Sequence, residues 1–169
     1  MAKKAVFVIS PKDFRDEELF FTKEELEKKG IKTVIASLKT GECIGMRGGK
    51  ANSEITINQI NSKDFDAIIF VGGSGASVYF DNNMVLKIAR EFAEKNKIVA
   101  AICIAPSTLA NAGLLKGKKA TSFQSEAANL KEKGAIVTGE PVTVDGKIIT
   151  ANGPGAAREF GRKIADALK

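Results

Sequence analysis

Cys103 is the residue whose type and position best suit it to covalent chemistry. It follows the apolar run at residues 98–102 and precedes residues that favour a helix, so the sequence predicts a strand-to-helix turn here. Unpaired amides and the dipole at the start of the following helix favour a thiolate at such a turn. This stretch is equally compatible with a small core residue, because free cysteine is among the most buried residue types.

The chain contains no histidine, which removes the commonest general base and the commonest transition-metal ligand. A second copy of the chain would supply none either. The two cysteines, Cys43 and Cys103, are far apart in sequence and match neither a disulfide framework nor a metal-ligand spacing. We therefore expect no metal site, and we interpret Cys43 as a structural thiol.

The overall composition is that of one globular domain spanning residues 1–169. The net charge is +6, but lysines alternate with glutamates and no basic arm is present, so we expect no nucleic-acid partner. No apolar run approaches the ~18 residues needed to cross a bilayer, and the N-terminus resembles a first strand rather than a signal peptide. These features predict a cytoplasmic protein with no membrane partner.

Continuous apolar runs alternate with helical patterns along the chain, which is typical of a parallel sheet covered by helices. Buried strands are predicted at Ala5–Ser10, Ile31–Ser37, Asp66–Val71 and Ile98–Ile102. Helices are predicted from Asp16 to Gly30, over Asn83–Lys95, from about Ala105 to Ala112, and after Pro154. With a late hairpin at Asp145-Gly146, this order predicts an α/β fold of three layers, with a mostly parallel sheet and helices on both faces.

Two stretches are predicted to be irregular. Pro11–Arg15 is interpreted as a loop. Leu38–Ser53 is rich in glycine and lysine and is interpreted as a long connection, with room for one short strand around Cys43 and Ile44.

A glycine-rich turn, Gly72-Gly73-Ser74-Gly75, directly follows the predicted strand Asp66–Val71. Glycines at this place let the backbone approach a ligand at the carboxyl end of the sheet. The turn is not GxGxxG and no Walker lysine follows it, so a phosphate cradle is not favoured.

Four segments resemble motifs of one family, the ThiJ/PfpI superfamily, in the right order. They are Ile102–Pro106 (ICIAP) for its cysteine elbow, Phe14–Leu19 (FRDEEL) for its acidic motif, Phe70–Ser74 (FVGGS) for its glycine loop, and Ala151–Phe160 (ANGPGAAREF) for a segment of its parkinsonism-associated branch. The resemblance covers Ala5 to Leu168. It implies a flavodoxin-like, class I glutamine amidotransferase-like fold and a homodimer or higher homo-oligomer.

The resemblance also implies roles for seven residues. Spacing alone favours a solvated first-turn glutamate at position 18; the resemblance instead makes it the carboxylate partner of a cysteine nucleophile. The implied residues are Cys103 and Glu18 as catalytic groups, Gly73 and Ile104 as backbone donors of an oxyanion hole, and Gly72, Ser74 and Pro154 as substrate-binding residues.

The chain also departs from the family's patterns. The protease branch has a histidine where Ile104 stands, and the parkinsonism-associated branch has one near the position of Phe123. Arg15 replaces the first acid of the acidic motif, Ala105 replaces the glycine after the elbow, and Ser77 stands near the place of an acidic residue that a neighbouring subunit supplies. A Cys-His-Glu triad cannot form, so we do not expect peptidase activity.

Four functions are compatible with these residues. The first is a cofactor-free enzyme of the glyoxalase or deglycase type, in which Cys103 attacks a small reactive carbonyl and Glu18 moves the proton. The second is a redox-responsive stress protein in which peroxide oxidises Cys103 to a sulfinate. The third is the cysteine peptidase that the family name suggests. The fourth is a degenerate member that only binds, because Ile104 and Phe123 make the mouth of the site apolar.

Overall fold

The apolar runs of the sequence form the centre of a seven-stranded sheet. In the computed structural model, which describes residues 2–169, the strands are β1 (Lys4–Val8), β2 (Lys12–Phe14), β3 (Lys32–Ser37), β4 (Gly41–Gly45), β5 (Lys50–Ser53), β6 (Ile55–Thr56), β7 (Ala67–Phe70), β8 (Ile98–Ile102), β9 (Lys119–Ala120), β10 (Ile136–Val137), β11 (Val142–Asp145) and β12 (Ile148–Ala151). The helices are α1 (Asp16–Lys28), α2 (Asn83–Glu94), α3 (Pro106–Asn111), α4 (Ala127–Glu132) and α5 (Ala157–Ala167).

The main sheet has the strand order β11-β12-β8-β7-β1-β3-β6. All neighbours pair in parallel except β11, which pairs antiparallel with β12 through the hairpin predicted at Asp145-Gly146. After β1 the chain adds β3 on one side of this strand, and later β7 on its other side. The carboxyl ends of β1 and β7 therefore flank a topological switch point, the place where open α/β sheets bind ligands.

Alternate residues of the central strands face two separate apolar cores. Phe7 and Ile9 face a core that α1 and α5 cover through residues such as Leu26 and Phe160. Val6 and Val8 face a second core, which α2, α3 and α4 close. The three-layer sandwich with helices on both faces, predicted from the sequence, is confirmed. No helix of residues 2–169 is long and apolar enough to cross a membrane.

The prediction of irregular structure before the first helix and after the second main strand is partly wrong. Lys12–Phe14 forms β2, which pairs in parallel with β4, and β4 pairs antiparallel with β5 in a separate three-stranded sheet. The short strand predicted around Cys43 is present as β4. Buried and exposed residues alternate along β4 and β5, as in a strand with one buried face. The glycines and the exposed lysine of these segments made this alternation hard to recognise in the sequence.

Asp16 holds the β4–β5 hairpin against the start of α1. Its buried carboxylate accepts hydrogen bonds from the amides of Arg47 and Gly49, at 2.9 and 2.7 Å. A Cβ atom on Gly49 would lie 2.5 Å from Asp16 Oδ2, so the hairpin loop approaches the carboxylate closely only because a glycine stands there. This contact fixes the hairpin beside the functional loops described below.

We predict that Asp16→Asn loosens the hairpin. The amide side chain keeps one acceptor and turns its NH₂ group towards a second amide, so one buried bond is lost at a cost of about 1–3 kcal/mol. Hydrogen–deuterium exchange should show faster exchange of the Arg47 and Gly49 amides. Asp64→Asn, at an exposed position, is the matched control, and equal exchange in both variants would contradict the assignment.

Candidate active site

Cys103 lies at a strained elbow between β8 and α3. Its φ angle is 66°, in the left-handed region that residues with a side chain rarely adopt. Two backbone bonds hold it there: its amide donates to the Ala151 carbonyl at 2.9 Å, and its carbonyl accepts from the Phe123 amide at 2.7 Å. Such strain persists only where the surroundings enforce it, and it is typical of functional positions. The cysteine is 8% exposed.

Glu18 reaches the same point from the first turn of α1. The residue is fully buried, and its Oε1 atom accepts a hydrogen bond from the Gly72 amide at 2.9 Å. A Cβ atom on Gly72 would lie 2.5 Å from Glu18 Oε1 and 2.6 Å from the Cβ of Cys103. The glycine after β7 therefore has the carboxyl group and the cysteine packed against it. The spacing of Glu18 alone would favour an exposed, solvated side chain, but the structure buries it.

The second carboxyl oxygen of Glu18 has no hydrogen-bond partner among the described residues, although it is buried. Buried polar atoms are nearly always paired, because an unpaired one loses its hydration without compensation. The carboxyl group interacts with the Cys103 thiol, and this interaction affects the pKa of both groups. A carboxyl group that interacts with a thiol is suited to exchanging a proton with it.

The amides of Gly73 and Ile104 lie against the Cys103 thiol and favour its ionised form. Gly73 has a φ angle of 99°, and a Cβ atom there would lie 2.4 Å from the amide nitrogen of Arg15. Only glycine fits this position. Ser74 follows at the exposed side of the turn, where its amide contacts the Met46 sulfur at 3.4 Å.

Burial sets the ionisation of the two catalytic candidates. It raises the pKa of Glu18 to about 8, against the opposing effects of Cys103 and the Gly72 amide. Burial, followed by the charge of Glu18, raises the pKa of Cys103 to about 12, and the amides of Gly73 and Ile104 act in the opposite direction. At neutral pH Cys103 is therefore a thiol, and Glu18 is mostly protonated.

The ionisation of each group affects the other. Burial is the main reason that the pKa of Cys103 is high, and the negative charge of an ionised Glu18 raises it further. When Glu18 is protonated, this repulsion is absent and the carboxyl group can donate a hydrogen bond to a thiolate. The titrations of the two groups are therefore coupled.

Arg15 is a further residue near Glu18 and Cys103. In the sequence it stands out only because it replaces the first acid of the family's acidic motif. Its guanidinium forms a two-point ion pair with Glu17, at 3.0 and 3.1 Å, at the start of α1. It is near enough to interact with the charges of Glu18 and Cys103. No signal in the chain alone separated this arginine from an ordinary exposed one.

Pro154 lies apart from the glycine turn, in the short 3₁₀ turn before α5. It lines a cleft of about 740 Å³ together with Phe123, Gly153 and Glu159. Gly72 and Ser74 do not line this cleft, so the residues predicted to bind substrate divide between two places. Within residues 2–169, no three His, Cys, Asp or Glu side chains are placed to hold a metal together.

A mostly parallel α/β sheet with a strained cysteine at its carboxyl edge, and a buried carboxyl beside it, defines the class of this protein. The sequence model of the DJ-1/PfpI family matches residues 3–167, and the chain belongs to this family. The resemblance to ThiJ/PfpI proteins, predicted from four motifs, is confirmed.

Known proteins resemble the chain over nearly its whole length. It is 46% identical to the uncharacterized protein MJ0967 of Methanocaldococcus jannaschii over 169 residues, which cover 98% of this chain and 82% of that protein. It is 30% identical to the deglycase PfpI of Pyrococcus furiosus, covering 97% of this chain and 99% of the relative. A crystal structure of a ThiJ/PfpI domain protein from Brachyspira murdochii matches with a TM-score of 0.97 at 31% identity, covering 99% of this chain and 96% of that one.

We predict that Glu18 lowers the stability of the wild-type protein as the pH rises from about 5 to 8. The pKa of Glu18 is raised in the folded state from 4.5 to about 8. The folded protein therefore binds this proton more tightly, and its advantage is lost as the pH rises through that range. Urea unfolding at pH 5, 6, 7 and 8 should show Glu18→Gln gaining up to about 1.4 kcal/mol per pH unit relative to wild type.

Glu17→Gln is the matched control for this experiment. Its ion pair with Arg15 lowers the pKa of Glu17, so the stability it contributes is present above about pH 5 and is lost only on acidification. Its difference from wild type should be constant between pH 5 and 8. A constant difference for Glu18→Gln as well would show that the buried carboxyl does not hold a proton.

Proposed function

We propose that the protein catalyses cofactor-free chemistry on small reactive carbonyls, of the glyoxalase or deglycase type, with Cys103 as nucleophile. The observation that carries this proposal is the buried Glu18 carboxyl group, which packs with Cys103 against Gly72 and interacts with the thiol. A carboxyl group whose pKa is about 8 can hold and release a proton near neutral pH, which is the task of the missing histidine. The name of the Pyrococcus relative, a deglycase, supports the same class.

The first step forms a covalent adduct. Ionised Glu18 takes the proton of the Cys103 thiol, so the S–H bond breaks as the sulfur attacks the aldehyde carbon of a 2-oxoaldehyde, a C–S bond forms, and the electron pair of the C=O bond moves to oxygen. The amides of Gly73 and Ile104 would stabilise this oxyanion, as paired backbone donors do in other enzymes. Glu18 then gives its proton to the oxygen, and the product is a hemithioacetal.

The second step is an isomerisation that needs no oxidant. Ionised Glu18 removes the hydrogen of the former aldehyde carbon as a proton, and the electron pair forms the double bond of an enediol. Proton transfer between the two oxygens, and return of the proton to the neighbouring carbon, give a 2-hydroxyacyl thioester. Water then attacks the thioester, a C–O bond forms, the C–S bond breaks, and the 2-hydroxy acid leaves.

Aldehydes suit this site better than peptides do. An aldehyde carbon is attacked without loss of a leaving group, so a single proton carrier is sufficient. Peptide cleavage needs the nucleophile activated and the leaving amine protonated, normally by an imidazole. The chain has no histidine to do this.

We predict that methylglyoxal is converted to lactate by the wild-type protein and not by Cys103→Ser. Glu18→Gln should lose at least about 100-fold in rate, because its amide cannot carry the proton. Chiral chromatography of lactate over time measures both effects, and Cys43→Ser is the matched control. Equal rates in the wild-type protein and the variants at Cys103 and Glu18 would rule the proposal out.

A second candidate is oxidation of Cys103 to a sulfinate, with the protein acting as a redox-responsive factor. Its support is the same set of donors, because the Gly73 and Ile104 amides and a protonated Glu18 would all bind sulfinate oxygens. Cys43 offers an internal comparison, since it is 1% exposed against 8% for Cys103, and burial raises the pKa of both thiols.

Mild peroxide should therefore add two oxygen atoms to Cys103 and leave Cys43 unchanged. Peptide mass spectrometry after treatment with a few equivalents of peroxide distinguishes the two cysteines. In Glu18→Gln the sulfinate should accumulate more slowly, because one donor is replaced. Oxidation of Cys43 with Cys103 intact would exclude this candidate.

A further inference from the structure

The cleft beside the elbow is attached directly to the backbone of Cys103. Phe123, on one wall, donates its amide to the Cys103 carbonyl, and Ala151, which accepts from the Cys103 amide, leads into the opposite wall at residues 152–156. A group held in this cleft is therefore near the backbone of Cys103, while neither Cys103 itself nor the glycine turn lines the cleft. The cleft has a volume of about 740 Å³, which is enough for a small organic group.

The charge of the cleft is opposite to that of the whole chain. The sequence has 26 lysines and arginines against 20 acidic residues, yet neither lysine nor arginine lines the cleft. Its one charged lining residue is Glu159. This exposed glutamate is in the first turn of α5, a favourable place for a carboxylate, and forms no ion pair with residues 2–169 within 4.0 Å.

An aromatic face complements this carboxylate. Phe123 is 48% exposed, an unusual position for a large apolar side chain. Gly153 lies beside its ring, since a Cβ atom on this glycine would be 3.9 Å from it, and both residues line the cleft. The face of an aromatic ring carries partial negative charge and attracts cations.

The protein already binds a guanidinium with this combination of groups elsewhere. Arg158 stacks on Phe21, with its guanidinium carbon 4.3 Å from the ring centroid, while its nitrogen pairs with Glu25 at 2.8 Å. Phe123 and Glu159 present the same two chemical groups to an open cleft. A planar, weakly hydrated guanidinium or amidinium uses both groups better than a strongly hydrated ammonium does.

We propose that this cleft is a subsite for a guanidinium or amidinium group on the carbonyl substrate, with Phe123 and Glu159 as its specificity-determining residues. The inference rests on the proposed carbonyl chemistry at Cys103 for its biological meaning, but not for its test. Glu159 pairs with the cation and Phe123 stacks on it. The reactive carbonyl at the other end of the molecule then reaches the cysteine.

Binding is tested first without catalysis, with benzamidine and its neutral isostere benzamide as probes. NMR titration of the full chain should show benzamidine binding at least 10-fold more tightly than benzamide, with shifts at residues 122–124 and 152–156. Glu159→Gln should make the two probes equal, and Phe123→Leu should weaken benzamidine while the chain stays folded. Glu94→Gln, at an exposed position on α2, should change nothing.

Turnover is then compared for phenylglyoxal with and without a 4-amidino substituent. The ratio of kcat/KM should favour the cationic substrate at least 10-fold in the wild-type protein and fall towards one in Glu159→Gln. Benzamidine binding that depends on Glu159, without turnover of any aldehyde, would keep the subsite and overturn the proposed catalysis. Turnover of aldehydes, with benzamidine no better bound than benzamide, would overturn the subsite.

Discussion

The contact of Gly72 with Glu18 and Cys103 is the constraint on which the site depends. The carboxyl group comes from the first turn of α1, the glycine from the loop after β7 and the cysteine from the end of β8, and no side chain fits between them. Parallel pairing of β1, β7 and β8 brings the segments that follow these strands to one edge of the sheet. The fold thereby places an acid and a thiol close together at that edge.

This arrangement is costly for the folded protein. A fully buried carboxyl with one unpaired oxygen and a cysteine in the left-handed region both reduce stability. Two complete apolar cores on either side of the sheet offset that cost. The chain has no histidine, and burial raises the pKa of Glu18 into the range that the proposed proton transfer requires.

The sequence predicted the buried strands and the helices, which follow from long apolar patterns. It did not predict the β4–β5 hairpin or its contact with Asp16, which depend on segments far apart in the chain. Residues 98–102 are apolar throughout, and they form the buried strand that ends at the elbow. Three consecutive acids begin α1, and the sequence does not distinguish their environments. Asp16 binds the hairpin loop, Glu17 pairs with Arg15, and Glu18 is buried near Cys103. Which acid turns inward depends on the helix phase relative to the sheet; spacing alone did not identify Glu18, and only the resemblance of Phe14–Leu19 to a family motif did.

The first turn of α1 is attached at two points, by Asp16 to the hairpin loop and by Glu18 to the loop after β7. Asp16 and Glu18, two positions apart, thus connect Glu18 and Cys103 to the hairpin loop at residues 45–49, which is not part of the candidate site. A change in this glycine-rich loop would therefore affect the position of Glu18. Among orthologues the length and the glycines of the loop should vary less than those of other surface loops, because an insertion there would displace the helical turn that contains Glu18.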